Sequence, residues 1–316
     1  MSYFLDRFLF NLVRLFFGGD VAFLFRDIAD RVYPQGSGVH PVYKRFRFVL
    51  RSIFYFSESV SWYSYILSHP SAVYAFDCTP SIAEKLHRPY LNKNLSARDR
   101  LDILKSHYEI FGGFSRCDVL VSALSAMREI SSIAGKTGQA ISLFIGPPRS
   151  LQKEGELLLE LRVSAVTVYK VAFSFIKMDT GAGVFIGAIQ GLSNAEKGKE
   201  LIRNATVEMH GARPVDVILL SVRVISKALG LSGIVACGDI NHIYRHFRKN
   251  RGFNKSYDSV WNDNNGVQMP DGNYLIPIVR DEKSLLDYPS KKRAAISRRN
   301  DFLASWSSCI EKGLGG

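Results

Sequence analysis

The hydrophobic pattern of this 316-residue chain changes its period along the sequence, and that change limits the folds open to it. In roughly the first hundred residues apolar side chains recur at helical spacings, as at Phe46, Leu50 and Phe54. Between residues 140 and 191 the pattern becomes that of strands, with Val, Ile, Leu and Phe in short runs separated by turn residues. The helical period returns after residue 195. The chain must therefore combine helices with a sheet.

The strand-rich stretch predicts a mainly antiparallel sheet, because its strands lack the regular alternation with helices that a parallel sheet requires. We expect an α+β fold, with a mainly antiparallel mixed sheet and packed helices in residues 131–316. A mainly helical region in residues 1–130 precedes it, and both form one continuous globular unit. The predicted strands are 140–145, 156–161, 166–176, 184–189, 233–237 and 274–278, and the predicted helices on the sheet are 195–210 and 215–229.

Three helix ends carry local signals. Ser96 with Asp99 three residues later is typical of a capping box, which predicts a helix start there. Gly230 follows the helix at 215–229 in the usual glycine position at a helix C-terminus. From Ser290 onward the sequence predicts a basic helix with an apolar side.

Composition and cysteine spacing favour a packed protein of a reducing compartment. Hydrophobic residues make up 47% of the chain, far from the composition of disordered chains. The apolar run at 8–17 is interrupted by Arg14 and is too short to cross a bilayer, and no small-residue cleavage site follows it. We expect a cytoplasmic location, with peripheral attachment to the inner membrane as the alternative. Four isolated cysteines are expected to be reduced: Cys78, Cys117, Cys237 and Cys309.

The charge balance favours an anionic partner. There are 41 Lys and Arg residues against 29 Asp and Glu, which gives a net charge of +12. An acidic carrier protein, anionic lipid or RNA would each suit such a chain, and a solvated basic surface explains the same charge about as well. The basic residues cluster at 44–47, 245–255 and 291–299.

Two glycine turns and the basic C-terminal segment supply the candidate anion-binding residues. One turn ends a strand and leads into a helix, whose backbone N–H groups could receive a phosphate. The other follows a rigid Gly-Pro-Pro bend. A plain surface turn or a solvated face fits each of them as well. The candidates are Arg149, Gln190, Gly191, Lys291, Lys292 and Arg293.

His242 and His246 stand four residues apart, which on a helix would place both imidazoles on one face at metal-binding spacing. Ile243 follows the first histidine where a zincin carries its catalytic glutamate, and no third ligand is apparent nearby. The sequence therefore predicts no metal site.

Seven segments carry a family resemblance: HPVY at 40–43, FIGPP at 144–148, GEL at 155–157, FIGAIQG at 185–191, GDINH at 238–242, YDSVW at 257–261 and PSKKRA at 289–294. In this order they resemble the VirK/YbjX family (domain of unknown function 535) of Gram-negative bacteria, and the VirK-type members most of all. The resemblance implies a virulence accessory factor, needed for the production or proper display of an outer-membrane virulence protein. The family carries no assigned chemistry, so the resemblance supplies no catalytic residues.

A second resemblance concerns the fold. The strand at 184–189, its glycine turn, two helices and the strand at 233–237 resemble the centre of GNAT-like acyltransferases. In that class two splayed strands admit an acyl thioester, and a β-bulge and a helix N-terminus hold pyrophosphate. The usual Arg/Gln-x-x-Gly-x-Gly/Ala turn is missing from this sequence, which argues against acetyl-CoA. An acyl thioester on an acidic carrier protein is the donor that a +12 chain would suit.

Polar residues near the strand ends are the catalytic candidates of this acyl-transfer hypothesis. They are Glu208, Asp239, Asn241 and His242. His242 is the expected base, because the ordinary pKa of an imidazole lies nearest to neutrality.

Two other mechanisms stay open. An RNA-binding post-transcriptional regulator would use the basic clusters, where aromatic residues stand beside arginines. A chaperone-like partner without catalysis would need an exposed apolar patch. A deep pocket between the splayed strands would favour acyl transfer, a continuous basic groove would favour RNA, and neither feature would favour the partner role.

Overall fold

The structure is a computed structural model that describes residues 10–11, 13–34, 39–114, 117–192, 196–244, 256–279 and 284–315. The chain divides into two compact units. The helical unit comprises Met1–Tyr90 and Asn94–Gly112, and the sheet unit comprises Leu91–Lys93 and Gly113–Gly316.

The helical unit packs its helices around aromatic side chains, as the helical spacing of the sequence predicts. Phe25, Trp62, Tyr63 and Phe76 are fully buried. Proline occupies the first position of two helices, where its missing N–H leaves no hydrogen bond unmade. From Gly19 onward the helices of this unit are α1 (Gly19–Val32), α2 (Val39–Phe54), α3 (Phe56–Ser68), α4 (Pro70–Cys78), a 3₁₀ helix (Pro80–His87) and α5 (Ala97–Gly112).

The capping box predicted at the start of α5 is confirmed. The backbone N–H of Asp99 donates to Ser96 Oγ at 3.1 Å, and the backbone N–H of Ser96 donates to Asp99 Oδ2 at 2.9 Å. These two bonds satisfy donors that the first turn of a helix otherwise leaves without partners. The hydrogen bonds from Ser96 also lower the pKa of Asp99.

The sheet unit contains one eight-stranded mixed sheet, which confirms the predicted α+β class. Its strand order is β1-β2-β3-β4-β5-β6-β8-β7, and only β5 and β6 are parallel neighbours within the described sheet. All other neighbouring pairs are antiparallel. The strands are β1 (Arg128–Ala134), β2 (Ala140–Gly146), β3 (Leu157–Val163), β4 (Val166–Met178), β5 (Gly181–Gly191), β6 (Ile234–Ala236), β7 (Val267–Gln268) and β8 (Tyr274–Ile276).

Helices pack against this sheet. Two helices between β5 and β6 contact the central strands. The C-terminal helix contacts β1 and the second of these two helices. Trp306 of the C-terminal helix is fully buried and donates from Nε1 to Ser221 Oγ at 2.9 Å. The helices are α6 (Asp118–Ala123), α7 (Glu196–Glu208), α8 (Pro214–Ala228), α9 (Tyr257–Asp263) and α10 (Ser290–Gly313), with 3₁₀ turns at Asp239–Asn241 and Leu285–Asp287.

The structure adds two strands that the sequence pattern did not predict, β1 and β7. It also shortens the predicted helix at 195–210 to Glu196–Glu208, with residue 195 outside the described residues. Residues 8, 9 and 12 of the N-terminal apolar run are likewise outside them. Among the described helices, none combines the length and apolar character that crossing a bilayer requires.

Candidate functional site

In the described part of the sheet, one pair of neighbouring strands is parallel, and these two strands part. β5 and β6 pair over three residues and separate after Ile186 and Ala236. One further hydrogen bond joins Cys237 N to Ile186 O at 2.9 Å. β6 ends there, whereas β5 continues to Gly191 with β4 on its other side. The second half of β5 is therefore released from its parallel neighbour.

A β-bulge lies at the point of separation. The register between β4 and β5 shifts between Ala172 and Phe173, which leaves Gly187 as the extra residue of β5. A side chain at Gly187 would collide with the carbonyl oxygen of Glu154, so glycine is needed for this close approach. A bulge beside a splayed parallel pair is one feature that the GNAT resemblance implies.

Two chain segments lie against this part of the sheet. Leu91 N donates to Lys153 O at 2.8 Å, and Lys93 N donates to Asn241 O at 2.9 Å. With Glu154 placed against Gly187, chain atoms fill the space directly at the bulge. The deep pocket that acyl transfer predicts is therefore closed at this point of the described structure.

The residues after β6 begin with Asp239, whose carboxylate holds the start of α9. Oδ1 accepts from the backbone N–H of Tyr257 at 2.8 Å, and Oδ2 accepts from Ser256 Oγ at 2.7 Å. Asp258 of the same helix accepts in return from the backbone N–H of Asp239, at 2.7 Å. These bonds clamp the end of β6 to the first turn of α9, so Asp239 positions its neighbours.

Asn241 holds the same segment against the β7–β8 turn. Its Nδ2 donates to Asp271 O at 2.7 Å and to Asn273 Oδ1 at 3.0 Å. Asn273 in turn donates from Nδ2 to Asp271 Oδ2 at 2.7 Å. Asn241 is 2% exposed, so these bonds satisfy a polar side chain that burial would otherwise destabilise.

His242 lies among aromatic rings at the end of this segment. It is 2% exposed, its ring is 5.0 Å from that of Tyr257 in a T-shaped arrangement, and the ring of Tyr244 lies 5.7 Å away. Its Nδ1 accepts from the backbone N–H of Tyr244 at 3.4 Å. Nδ1 therefore carries the lone pair of the neutral ring, and the proton is on Nε2.

The backbone at His242 is extended, with φ −62° and ψ 136°. His242 therefore does not lie on a helix, as the i, i+4 geometry with His246 would require. His246 lies outside the described residues. Among the residues that the structure describes, no group of three or more His, Cys, Asp or Glu side chains is arranged to hold a metal ion.

The polar cluster, which we define as Asp239, Asn241, His242, Tyr257 and Asp258, is electrostatically negative. Burial and, after it, the charge of Glu154 raise the pKa of the Tyr257 phenol. Burial and the nearby carboxylates, first of all Asp239, raise the pKa of the Cys237 thiol. The thiol is held protonated, so it is unsuited to act as a nucleophile, and the neutral phenol keeps its proton available for donation.

Glu208, the fourth catalytic candidate, lies elsewhere. It ends α7 and accepts from Thr137 of the β1–β2 turn, at 3.0 Å from the backbone N–H and at 2.5 Å from Oγ1. The hydrogen bond from Oγ1 is the main cause that lowers the pKa of Glu208. Its bonds therefore tie α7 to that turn rather than to Asp239 or His242.

The candidate anion-binding residues are spread over the sheet unit. Gln190 is exposed and pairs with Lys170 across the end of β5, and residues 193–195 that follow Gly191 are outside the described structure. Arg149 is exposed on the turn after β2. Lys291 and Lys292 are exposed in the first turn of α10.

Arg293 differs from its neighbours on α10, because its guanidinium is used locally. Nε donates to Tyr288 O at 2.9 Å and Nη2 donates to Leu286 O at 3.2 Å. These bonds hold α10 to the preceding 3₁₀ turn. The structure thus leaves Lys291 and Lys292, rather than Arg293, presented to solvent.

A cavity of about 760 Å³ between α8 and α10 escaped the sequence analysis. Three arginines, Arg213, Arg223 and Arg299, line it together with Asp216 and Asp301. Arg223 is 4% exposed and donates from Nε to a backbone carbonyl at 2.9 Å. A lone arginine within the apolar run of α8 was the sequence signal that could have indicated this cavity.

Together the fold and the polar cluster define an α+β protein with a mixed sheet and a buried polar site at the end of its parallel strand pair. The chain belongs to the DUF535 family, described as proteins of unknown function, whose model matches residues 38–312. This confirms the VirK/YbjX family that the sequence motifs indicated.

Two relatives and one solved structure illustrate the similarity. The uncharacterized protein YbjX of Escherichia coli K12 is 27% identical over 285 residues, covering 89% of this chain and 86% of that protein. Membrane protein LapB of Mannheimia haemolytica is 24% identical, covering 66% of this chain and 88% of LapB. A cAMP-binding acyltransferase from Mycobacterium smegmatis is 11% identical with a TM-score of 0.28, covering 68% of this chain and 63% of that one. At that TM-score the likeness carries no argument about fold or activity.

Proposed function

We propose that this protein is an accessory factor of the bacterial envelope that acts by acyl transfer from a thioester donor. Its role is the production or proper display of an outer-membrane virulence protein, as its family membership suggests. The observation that carries the chemical part is the parallel β5–β6 pair, which separates beside the bulge at Gly187 and leads directly into the polar cluster.

In this reaction a hydroxyl or amine of the acceptor attacks the carbonyl carbon of the thioester. The new bond joins the acyl group to the acceptor, and the carbon–sulfur bond breaks. After Nδ1 of His242 has released its hydrogen bond from the backbone N–H of Tyr244, it takes the acceptor proton and returns that proton to the departing thiolate. Asp239 and Asn241 position the segment that carries His242.

Acyl transfer requires a conformational step for two reasons. The pocket expected where β5 and β6 separate is closed by Glu154 in this structure, and His242 is 2% exposed. The segments at 91–93 and 153–155 are the ones that would move, since they lie over the bulge and the polar cluster.

The donor is an acyl group on an acidic carrier protein, which the net charge of +12 favours. We place the protein in the cytoplasm, at the inner membrane, and the name of the LapB relative, a membrane protein, agrees with an envelope role.

The first test is chemical. Purified protein is incubated with acyl carrier protein loaded with acyl chains of different lengths, and released thiol is measured together with the mass of small molecules that co-purify. We expect thiol release to fall at least about a hundredfold in His242→Gln, since a general base contributes about 10²–10⁴ to a rate.

The control is His69→Gln, which changes a half-buried histidine of the helical unit outside the polar cluster. It should release thiol like the unchanged protein. Thermal unfolding of both variants separates a lost base from a lost fold. Full activity in a folded His242→Gln, or co-purifying RNA in place of an acyl compound, would overturn the proposal.

A further inference from the structure

The outward face of α2 combines apolar and cationic side chains in one stripe. Tyr43, Arg47, Leu50 and Phe54 follow one another at spacings of four, three and four residues, which places them on one side of a helix. Tyr43 is 55% exposed, Leu50 42% and Phe54 79%. In an amphipathic helix, the side that carries the large apolar side chains usually faces the core. Here they face away from it.

The charge of this face has a single sign. The sequence of α2 contains no Asp or Glu. Lys44 and Arg47 are exposed, and the Arg47 guanidinium lies 5.4 Å from the centre of the Tyr43 ring. Arg45 points elsewhere, since it is buried and pairs with Asp30 at 2.7 Å. The stripe is therefore apolar and positive.

We propose that this face of α2 docks on an anionic membrane surface. A helix whose apolar side chains stand beside Lys and Arg lies in the headgroup region, with the rings and aliphatic chains among the acyl chains and the cations at the phosphates. A tyrosine suits this depth, because its ring is apolar and its hydroxyl reaches water. This docking proposal rests on the peripheral membrane location of the proposed function and names the surface that makes the contact. It does not require acyl transfer.

The spacing of the aromatic residues favours a membrane over RNA. Tyr43 and Phe54 are separated by eleven residues, which is roughly 16 Å along a helix at 1.5 Å per residue. Adjacent bases that stack on protein rings need those rings much closer together. Phe46, the ring within the basic cluster, is half-buried, and Leu50 between the two exposed rings offers no stacking surface. The apolar interior of a membrane can accept the side chains of Tyr43, Leu50 and Phe54 together.

The test is binding of the full chain to vesicles of phosphatidylcholine alone and of phosphatidylcholine with about a third phosphatidylglycerol, at low and at physiological salt. We expect preference for the anionic vesicles. Lys44→Gln with Arg47→Gln should weaken that binding about thirtyfold at low salt, which is the loss of two cations at about 1 kcal/mol each and 1.4 kcal/mol per tenfold. Leu50→Ser with Phe54→Ser should weaken it at both salt concentrations.

Matched controls lie in the sheet unit. Lys197→Gln with Lys199→Gln removes two exposed cations of α7, and Leu286→Ser removes a leucine that is 75% exposed. These variants should bind like the unchanged protein. Circular dichroism confirms that every variant is folded.

A depth measurement reads the contact directly. The three tryptophans, Trp62, Trp261 and Trp306, are fully buried, so a Tyr43→Trp variant adds an exposed reporter to a constant background. Lipids brominated on their acyl chains should quench the added emission. The proposal is overturned if the chain binds no anionic vesicle, if the α2 variants bind as tightly as the controls, or if they lose RNA binding instead. None of these outcomes changes the thiol release that we expect with acyl carrier protein in solution. The docking proposal and the acyl-transfer proposal can therefore fail independently.

Discussion

At the scale of single residues, His87 of the helical unit is the side chain whose protonation state the fold controls most clearly. It is 7% exposed, and its Nε2 lies 3.0 Å from Ser59 Oγ. Burial and, after it, the cations of Arg51, Arg100 and Arg88 lower the pKa of His87 to about 3. The folded protein therefore holds the neutral ring at pH values where a free histidine is already protonated.

This shift makes the stability of the helical unit depend on pH. Below about pH 6.5 the unfolded chain takes up a proton at His87 that the folded chain refuses, so the free energy of unfolding falls as the pH falls toward 3. We expect a loss of about 2 kcal/mol between pH 7 and pH 5 from this residue. Urea unfolding at the two pH values measures it. In His87→Gln, which has no proton to gain, this part of the loss should vanish, and an equal loss in both proteins would show that other groups cause it.

The sequence predicts which residues lie close together where one motif contains them. Asp239, Asn241 and His242 stand within four positions, so any local fold keeps them close. The position of Glu208 depends on the sheet, because its partner Thr137 lies in the turn between β1 and β2. The sequence predicted β2 but not β1. Without β1, the turn that receives Glu208 could not be foreseen.

At the scale of elements, the strongly apolar runs were predictable and the weak ones were not. β2 and β8 begin at the predicted residues 140 and 274, and α8 lies within one residue of its predicted bounds. β1 contains two adjacent serines and alternates poorly, and β7 has two exposed residues. Both form because a neighbouring strand supplies their hydrogen bonds, which is a tertiary effect that local pattern does not carry.

The C-terminal helix α10 has the two sides that its sequence predicted. Phe302, Trp306 and Ile310 are buried, whereas Lys291 and Lys292 are exposed. Arg298 is exposed as well. The predicted contact with an anionic partner can therefore be tested on these three cations without disturbing the hydrogen bonds of Arg293.

Replacing Lys291, Lys292 and Arg298 with Gln should weaken binding to acyl carrier protein at low salt and have little effect at physiological salt. Exposed charges are screened within about 8 Å at that ionic strength, so their contribution fades as salt rises. Titration of fluorescent carrier protein measures the affinity at both salt concentrations. Lys197→Gln with Lys199→Gln and Arg203→Gln, which removes three exposed cations of α7, is the matched control, and equal binding by both variants would show that this side of α10 is only a solvated face.

At the scale of the whole molecule, the division into two units has an energetic consequence. The helical unit buries its own aromatic core around Trp62, and the sheet unit buries a separate one that includes Trp261 and Trp306. A chain with two cores does not have to unfold in one step. Its cooperative units are expected to follow the cores.

Native-state hydrogen exchange, followed by mass spectrometry at increasing urea, measures this directly. We expect the protected amides of the helical unit to share one free energy of opening and those of β2 to β5 to share a higher one, because the central strands are hydrogen-bonded on both sides. His87→Gln serves as a marker, since a change in a buried residue of the helical unit should lower the opening free energy of that unit alone. If amides of both units open with one free energy and one urea dependence, and shift together in His87→Gln, the two cores form a single cooperative structure.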